Sequence, residues 1–267
     1  MPESQPPSAV DTTVPQAARF WDYLLGGKDN YAVDREVGAQ VLAIFPELMD
    51  AVRADRGFLR RAVTHLVGDA GVRQLLDIGT GLPTVDHTHQ VAQAIAPESR
   101  VVYVDNDPMV LAHARALLVS STEGATRYLH ADLREWEGIL RDAAGTLDLD
   151  EPVALMLLGV LNFVPDDAQA HAIVAGLVDA LPSGSYLALS HPTEEVHADA
   201  QAASVEFFNA SGAPPIRTRS RAELARFFDG LELLDPGVVS CSLWRPDPVE
   251  VGWPVEVTQF CGVARKR

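Results

Sequence analysis

The sequence predicts an α/β fold: a doubly wound, mostly parallel sheet of seven strands, with extra helices at the N-terminus. Short apolar runs alternate with stretches of helical spacing from about residue 69 onward, a pattern typical of a parallel sheet with helices on both faces. Two of these runs, residues 75–78 and 101–104, lie beside acidic residues, and the first opens into a pair of glycines. The preceding part of the chain has helical spacing only.

Strands are expected at the apolar runs, near residues 73–79, 100–105, 126–131, 153–160, 185–190, 231–240 and 256–264. Helices are expected between them, near residues 88–96, 108–119, 134–142, 166–181 and 220–229. Right-handed crossovers place the C-terminal ends of parallel strands along one edge of the sheet, where doubly wound folds bind their ligands. Functional residues are therefore expected just after the strands.

The N-terminal part of the chain divides into a lead-in and a helical cap. Residues 1–14 are rich in Pro, Ser and Thr and are predicted to be disordered. Residues 15–68 are predicted to form the cap, with a break at Gly26 and Gly27 and with further helices over 34–45 and from about Glu47. Residues 69–267 would form a Rossmann-like core, and cap and core together a single domain.

The most informative motif is the glycine pair after the first core strand. Asp77 precedes Gly79 and Gly81, and the next strand ends at Asp105, near the spacing of roughly 20 residues seen in dinucleotide folds. Glycine lets a ligand approach the backbone, and the second carboxylate suits a ribose diol. Because Asp77 would repel a pyrophosphate and attract a sulfonium or ammonium group, the motif predicts a site for S-adenosylmethionine. An ordinary strand and turn is the alternative interpretation.

Composition limits the possible partners and location. The formal net charge of −16 argues against a broad nucleic-acid interface, since affinity for phosphates comes largely from Lys and Arg. No apolar run approaches the ~20 residues of a membrane span, so no membrane association is expected. Residues 1–8 lack the pattern of a signal peptide, and the two cysteines suggest no disulfide framework. These features favour a cytoplasmic protein with a small-molecule substrate; they leave the oligomeric state open.

Five segments carry a family resemblance that extends from about residue 15 to residue 266: 22–30 (DYLLGGKDN), 77–84 (DIGTGLPT), 104–108 (VDNDP), 158–166 (LGVLNFVPD) and 190–191 (SH). With these segments the chain resembles the class I S-adenosylmethionine-dependent methyltransferases, and more narrowly a bacterial methyltransferase family long catalogued as a domain of unknown function. The resemblance implies a Rossmann-like methyltransferase fold whose last strand is antiparallel and inserted near the edge of the sheet. It also implies S-adenosyl-L-methionine as the cofactor.

Carried over to this sequence, the resemblance implies a set of cofactor-binding residues: Tyr23, Lys28, Asp77, Gly79, Thr80, Gly81, Asp105, Asn106, Asp132, Leu133 and Gly159. Asp77 and the glycines of its loop would lie beside the methionine moiety, and Asp105 would hold the ribose hydroxyls. Asn106 and the 132–133 segment would border the adenine. Gly159 would border the transferable methyl group.

The chain departs from the broader superfamily at two places. A third glycine is common two positions after Gly81, where this chain has Pro83, so the loop is expected to turn differently before its helix. The segment after the fourth strand is Leu-Asn-Phe at 161–163 rather than the Asn/Asp-Pro-Pro-aromatic motif of nucleic-acid amino methyltransferases. This departure weakens any case for base methylation.

Three residues are candidates for contact with the methyl acceptor: Arg19, Tyr23 and Asn162. Arg19 and Tyr23 are four positions apart and would share one face of a helix. The polar loop at 26–31 is interpreted as a lid that brings Lys28 and Tyr23 to the cofactor. A helix C-cap followed by a solvated turn is the alternative.

His191 is the candidate general base, since it follows an apolar strand and an imidazole pKa near neutrality suits proton removal. A structural histidine bonded to a loop is the alternative. His87 and His89 have no neighbouring cysteines, and their spacing does not suggest a metal site. No metal is therefore expected.

The sequence favours an S-adenosylmethionine-dependent methyltransferase that acts on a small oxygen or nitrogen acceptor. Methyl transfer needs no covalent protein intermediate, because alignment of nucleophile, methyl and leaving sulfur carries much of the barrier reduction. Three alternatives remain open: a non-catalytic S-adenosylmethionine sensor, a nicotinamide-dependent oxidoreductase, which Asp77 disfavours, and a different S-adenosylmethionine chemistry on the same scaffold.

Overall fold

The computed structural model describes residues 10–82, 86–117, 120–247 and 254–267. Its helices are α1 (Ala17–Leu24), α2 (Ala32–Ile44), α3 (Leu48–Thr64), α4 (Thr88–Ile95), α5 (Pro108–Leu117), α6 (Trp136–Ala143), α7 (Asp167–Asp179), α8 (Ala198–Ala210) and α9 (Arg221–Ala225). Its strands are β1 (Gln74–Ile78), β2 (Arg100–Asp105), β3 (Ala125–His130), β4 (Ala154–Leu158), β5 (Tyr186–Pro192), β6 (Glu232–Leu233), β7 (Val239–Ser240) and β8 (Gln259–Arg265).

The sheet is mostly parallel and has the strand order β3-β2-β1-β4-β5-β8-β6, with β7 also paired to β8. Strands β1 to β5 run parallel to their neighbours, and β8 lies antiparallel between β5 and β6. The predicted α/β class and the inserted antiparallel strand are confirmed. Because the order in which strands are added reverses at β1, with β2 on one side and β4 on the other, the C-terminal ends of β1, β2 and β4 border a crevice at one edge of the sheet.

Helices cover both faces of this sheet. Successive residues of β1 point to opposite faces, so Leu75 joins the core with Phe58 of α3, whereas Leu76 joins the core with Ile139 of α6 and Ile173 of α7. Every residue of β1 is buried, as expected for a central parallel strand. This burial on both sides is why the strand is a continuous apolar run up to Asp77.

A third cluster joins the N-terminal helices to α8. Phe20 of α1 packs edge-on against Phe208 of α8, with ring centroids 5.0 Å apart, and Val41 of α2 belongs to the same cluster. The sequence pattern predicts no helix at 198–210. Two of the buried residues of α8 are polar, Gln201 and Ser204, so the helix lacks the apolar periodicity by which the other helices were recognised.

The strand predicted at 231–240 is divided into β6 and β7, which makes eight strands rather than seven. Pro236 has no N–H to donate to the ladder, and Gly237 has a positive φ of 89° and donates to the carbonyl of Leu234 at 2.8 Å. A turn therefore replaces the middle of the expected strand. Of the predicted lead-in over 1–14, residues 1–9 lie outside the described residues. Pro83, where the loop was expected to turn differently, also lies outside them.

Candidate active site

A cavity of about 250 Å³ lies at the C-terminal ends of β1, β2 and β4. Helices α1 and α3 and the prolines at 214 and 215 form its other walls. Of the cofactor-binding residues predicted from the sequence, nine line this cavity: Asp77, Gly79, Thr80, Gly81, Asp105, Asn106, Asp132, Leu133 and Gly159. The topology therefore brings the ends of four strands, β1 to β4, to one site.

The glycine loop turns sharply after β1. Gly79 has a φ of +79° and Gly81 a φ of +67°, values that side-chain-bearing residues rarely adopt. The N–H of Gly79 donates to Val104 O at 2.8 Å, which ties the loop to β2. A Cβ at Gly79 would lie 2.5 Å from Val160 Cγ2, whereas a Cβ at Gly81 would meet nothing within 4 Å. Gly79 is thus required by the fold, and Gly81 leaves space beside the cavity.

Two carboxylates flank this loop: Asp77 is buried and Asp105 is half-buried. Asp77 accepts a hydrogen bond from the Thr88 hydroxyl at 2.6 Å, and Asp105 accepts the N–H groups of Gly81 at 2.8 Å and Asp107 at 2.9 Å. Burial raises the pKa of Asp77 to about 6 and, despite its backbone hydrogen bonds, also raises that of Asp105 to about 6. A cation bound between the two would offset this cost of burial.

The wall after β3 carries the predicted adenine-facing segment. The Asn106 amide lies 3.3 Å from Asp132 Oδ2, and Asp132 also accepts the Arg134 N–H at 2.8 Å. Burial opposes ionisation of Asp132, but hydrogen bonds from Arg134 outweigh it and lower its pKa. Asp107 lines the same wall, and its buried Oδ2 has no hydrogen-bond partner in the structure.

The opposite wall contains Asp55, a residue that the sequence analysis did not select. Asp55 lies on α3 and lines the cavity close to Gly159, at the end of β4. A signal was present in the sequence: Asp55 is three positions after Val52 and four before Leu59, both of which are buried. An acid on the apolar face of an amphipathic helix is unusual enough to mark a site.

Two predicted residues of the N-terminal cap do not line the cavity. The ring of Tyr23 packs against α2, where a Cβ at Gly38 would lie 2.3 Å from Tyr23 Cδ1. Lys28 is exposed on the loop after α1. Asp22 holds this loop by accepting the N–H of Asp29 at 2.9 Å and the Asn30 amide at 2.7 Å, so its conformation is a capped turn.

Arg19 and Asn162, the other predicted acceptor contacts, are buried away from the cavity lining. Arg19 is fully buried; it donates to Asp11 O at 2.9 Å and Val14 O at 2.7 Å, and its Nε lies 3.4 Å from Asp34 Oδ2. Asn162 is 4% exposed, and its Oδ1 has no hydrogen-bond partner in the structure. Both positions are consistent with roles in packing.

His191 is fully buried on β5 and does not line the cavity. Its Nδ1 lies 2.8 Å from Pro192 O, and its Nε2 accepts from Arg219 Nη1 at 2.7 Å. Burial lowers its pKa to about 3, and the neighbouring Arg219 charge acts in the same direction. Both ring nitrogens of His191 are therefore engaged within the fold, the arrangement expected of the structural alternative.

His87 and His89 lie beside the cavity without forming a metal centre. His87 lines the cavity, and burial lowers its pKa to about 3. His89 accepts or donates at Tyr103 Oη, 2.8 Å from its Nδ1. Within the described residues, no group of three or more His, Cys, Asp or Glu side chains is arranged to hold a metal ion. Nor does any described helix have the length and apolar character needed to cross a membrane.

Comparison with known proteins adds a family to this geometry. A family model described as S-adenosyl methyltransferase matches residues 3–267. A DUF574 family protein from Streptomyces avermitilis MA-4680 is 43% identical, with 96% of this chain and 99% of that chain covered and a TM-score of 0.92. A candidate methyltransferase from Thermobifida fusca YX is 38% identical over 98% of each chain, with a TM-score of 0.89.

A more distant likeness concerns the fold alone. A SAM-dependent methyltransferase from Anabaena variabilis ATCC 29413 is 14% identical, with 78% of this chain and 84% of that chain covered and a TM-score of 0.51. No curated protein matches the chain.

Proposed function

The chain belongs to the S-adenosyl methyltransferase family, and from that membership we propose that it methylates an oxygen or nitrogen atom of a small molecule bound beside Gly159. It is a methyltransferase, and S-adenosyl-L-methionine is its cofactor. The observation that carries the proposal is the cavity at the ends of β1, β2 and β4. Its lining combines two glycines of positive φ, Gly79 and Gly81, with the carboxylates of Asp77 and Asp105.

The residues of the cavity fit this cofactor. Asp105 would hold the ribose hydroxyls, and Asp77 would face the positive charge of the methionine moiety. The adenine would lie between Asn106 and Leu133, where the orphaned Asp107 Oδ2 offers a further acceptor. A buried acceptor without a partner costs free energy, and a ligand donor would remove that cost.

The protein's part in the reaction is alignment and exclusion of water. When bound, S-adenosylmethionine supplies a methyl group already activated by a sulfonium leaving group. Apolar side chains at the mouth of the cavity, Trp21, Leu25 and Phe163, would keep water from the aligned acceptor. Holding the acceptor atom in line with the methyl group contributes without any covalent protein intermediate.

The decisive experiment is calorimetry with S-adenosylhomocysteine, followed by a crystal structure of the complex. We expect binding that is lost when Asp105 is replaced, and a space of substrate size next to Gly159 in the complex. A ligand enclosed by protein atoms on every side of the sulfur would instead support the sensor. Absence of S-adenosylhomocysteine binding by the folded protein would contradict the proposal.

We further propose that the acceptor is not a nucleic acid and that the protein works in the cytoplasm. The net charge of −16 supports the first statement, because a phosphate backbone would be repelled. Both cysteines, Cys241 and Cys261, are buried as free thiols, which is compatible with a reducing compartment. We also propose that residues 15–267 fold as a single domain, with 15–68 as its cap.

A further inference from the structure

The cavity has two halves that differ in their residues. The half at β1 and β2 contains the glycine loop, Asp77 and Asp105. The other half, at the end of β4, contains Gly159, whose N–H donates to Ser190 O at 3.1 Å, and Asp55. Beside Gly159, Gln259 Nε2 donates to Ser190 Oγ at 3.3 Å and lies 3.7 Å from the Cβ that Gly159 would carry. Ser190 and Gln259 are also partners of Asp55, so Asp55 lies on the Gly159 side of the cavity, where the proposed function puts the acceptor.

Asp55 differs from the other five carboxylates at the cavity in how closely its donors approach. Each of those five accepts a hydrogen bond at 2.6–2.8 Å: Asp22 from Asn30, Asp77 from Thr88, Asp105 from Gly81, Asp107 from Met109 and Asp132 from Arg134. The thiol of Cys241 is 3.8 Å from Asp55 Oδ1. Burial raises the pKa of Asp55, although hydrogen bonds from Ser190 and Gln259 and the Arg56 charge favour its ionised form. A ligand that brings N–H donors or positive charge would complete this site.

The charge around Asp55 selects against anions. Six aspartates line the cavity within the described part of the chain, against two arginines, Arg56 and Arg134. Arg134 is paired with Asp132, and Arg56 Nη2 donates to Asp86 O at 3.0 Å. An acidic acceptor would meet net repulsion here, whereas a cationic or N–H-bearing acceptor would be attracted.

Part of the cavity lining is apolar. Trp21 and Leu25 of the cap, Phe163, and the prolines at 214 and 215 belong to it, and all of them are partly or fully exposed. A hydrocarbon or aromatic body would displace water from these surfaces, while its polar end reaches Asp55.

We propose that Asp55 recognises the methyl acceptor, and that the acceptor is an amine carried on an apolar body, with its N–H groups held by the Asp55 carboxylate. This inference rests on the proposed function, since it concerns the acceptor half of the same cavity. Asp55 acts here as a positioning residue: it would hold the N–H groups of the neutral amine, whose lone pair takes the methyl group while the carbon–sulfur bond breaks. The positive charge passes from the leaving sulfur to the nitrogen, where the Asp55 carboxylate would balance it.

Three probes of similar size and different charge test the inference: 2-phenylethylamine, 2-phenylethanol and 3-phenylpropanoate. Each is titrated into the full chain saturated with S-adenosylhomocysteine, with binding followed by ligand-observed NMR. The wild-type protein should prefer the amine to the carboxylate by about tenfold or more, and Asp55→Asn should remove most of that preference. Asp55→Glu, which keeps the charge, should retain part of it.

The matched control is Asp50→Asn. Asp50 lies on the same helix, but its side chain is 65% exposed and pairs with Arg53, so this variant should keep the preference for the amine. Affinities for S-adenosylmethionine and S-adenosylhomocysteine are measured for every variant. In Asp55→Asn, both should stay within about twofold of wild type.

Each other outcome overturns the inference in a distinguishable way. Equal binding of amine and carboxylate, no amine binding, or an unchanged preference in Asp55→Asn removes Asp55 as the recognition residue. A selective loss of S-adenosylmethionine over S-adenosylhomocysteine in that variant assigns Asp55 to the sulfonium instead. If the wild-type protein fails to bind S-adenosylhomocysteine, the proposed function fails, and this inference fails with it.

Discussion

At the residue scale, the half of the cavity at β1 and β2 contains a carboxylate, Asp77, whose burial opposes its ionisation. Asp77 is 4% exposed, and among the described residues its close hydrogen-bond donor is the Thr88 hydroxyl at 2.6 Å. Burial raises its pKa from 3.8 to about 6. The stability that Asp77 contributes is full below pH 3.8, where it is protonated in both states, and is lost as the pH rises through 6.

We therefore expect Asp77→Asn to stabilise the ligand-free protein at neutral pH. A shift of this size corresponds to about 2–3 kcal/mol, since one pKa unit equals about 1.4 kcal/mol. The gain over wild type should be small near pH 4 and should reach its full size by pH 7, as measured by urea unfolding at each pH. Asp150→Asn, at an exposed aspartate, should show no such trend. A gain that is the same at both pH values would contradict the raised pKa.

The glycine loop allows a matched pair of substitutions. Gly79→Ala and Gly81→Ala both force a positive φ on alanine, at a cost of about 1 kcal/mol each. Only Gly79→Ala adds a collision, with the side chain of Val160 at 2.5 Å. We expect Gly79→Ala to lower the free energy of unfolding by about 1–3 kcal/mol more than Gly81→Ala does.

Val160→Ala provides the check on this explanation. It removes the two Cγ atoms of residue 160 but keeps its Cβ, which lies 2.6 Å from a Cβ at position 79. It should therefore recover part of the stability in the Gly79→Ala background and none in the Gly81→Ala background. Denaturant titration of wild type, the three single variants and the two double variants measures the coupling. Equal losses of unfolding free energy in Gly79→Ala and Gly81→Ala would show that backbone strain alone, without the collision with Val160, accounts for the destabilisation.

Residues at strand ends could be assigned to the cavity from the sequence, whereas residues whose direction depends on packing between helices could not. Asp77, Gly79, Gly81 and Asp105 follow strands, and strand ends are predictable because the strands are apolar and the topology gathers their ends. The ring of Tyr23 packs against Gly38 of α2 and not along the cavity, because its direction from α1 depends on a contact with another helix. Contacts between residues that are distant in the sequence cannot be read from the spacing of apolar residues within one helix.

At the element scale, the N-terminal helices are held by a buried ion pair. Arg19 of α1 and Asp34 of α2 are both fully buried, and Asp34 also accepts the N–H groups of Gln16 at 3.0 Å and Tyr31 at 2.9 Å. The Asp34 carboxylate thus caps the N-terminal ends of both helices, since Gln16 precedes α1 and Tyr31 precedes α2. Removing one member of such a pair leaves an uncompensated buried charge.

We expect Arg19→Met to destabilise the cap by about 3–5 kcal/mol. Amide hydrogen exchange in α1 and α2 should accelerate much more than exchange in β1 and β4, because the sheet has its own core. Arg53→Met, at an arginine with a 70% exposed side chain, serves as the control. Uniform acceleration over cap and sheet would mean that the two unfold together.

Elements were predictable from sequence where one side of the element is apolar. The strands β1 to β5 and the helices α3 to α7 were expected within a few residues of their observed bounds. Helix α8 was missed because Gln201 and Ser204 occupy buried positions, where its contact with the cap tolerates polar side chains. It supplies Phe208 to the cap and leads into the prolines at 214 and 215, so the part of the cavity lining that follows α8 was not predictable from the sequence.

At the scale of the whole molecule, ligand binding and proton binding are linked through the two carboxylates that flank the glycine loop. Asp77 and Asp105 lie on neighbouring strands, and burial raises the pKa of each to about 6. The proposed contacts require both to be ionised: Asp77 faces a cation, and Asp105 accepts hydrogen bonds from hydroxyl groups. Below pH 6 a bound ligand must therefore displace protons from the protein.

We expect the affinity for S-adenosylmethionine to be constant above about pH 7 and to fall by roughly tenfold by pH 5.5, because each carboxylate adds a several-fold loss there. Calorimetry in buffers of different ionisation enthalpy should show proton release on binding near pH 6 and none near pH 8. In Asp77→Asn the released protons should fall by about half, while Asp150→Asn should match wild type. Affinity that stays flat from pH 7.5 to 5.5 would show that neither carboxylate changes its protonation when the ligand binds, and the cofactor would then have to lie elsewhere in the crevice.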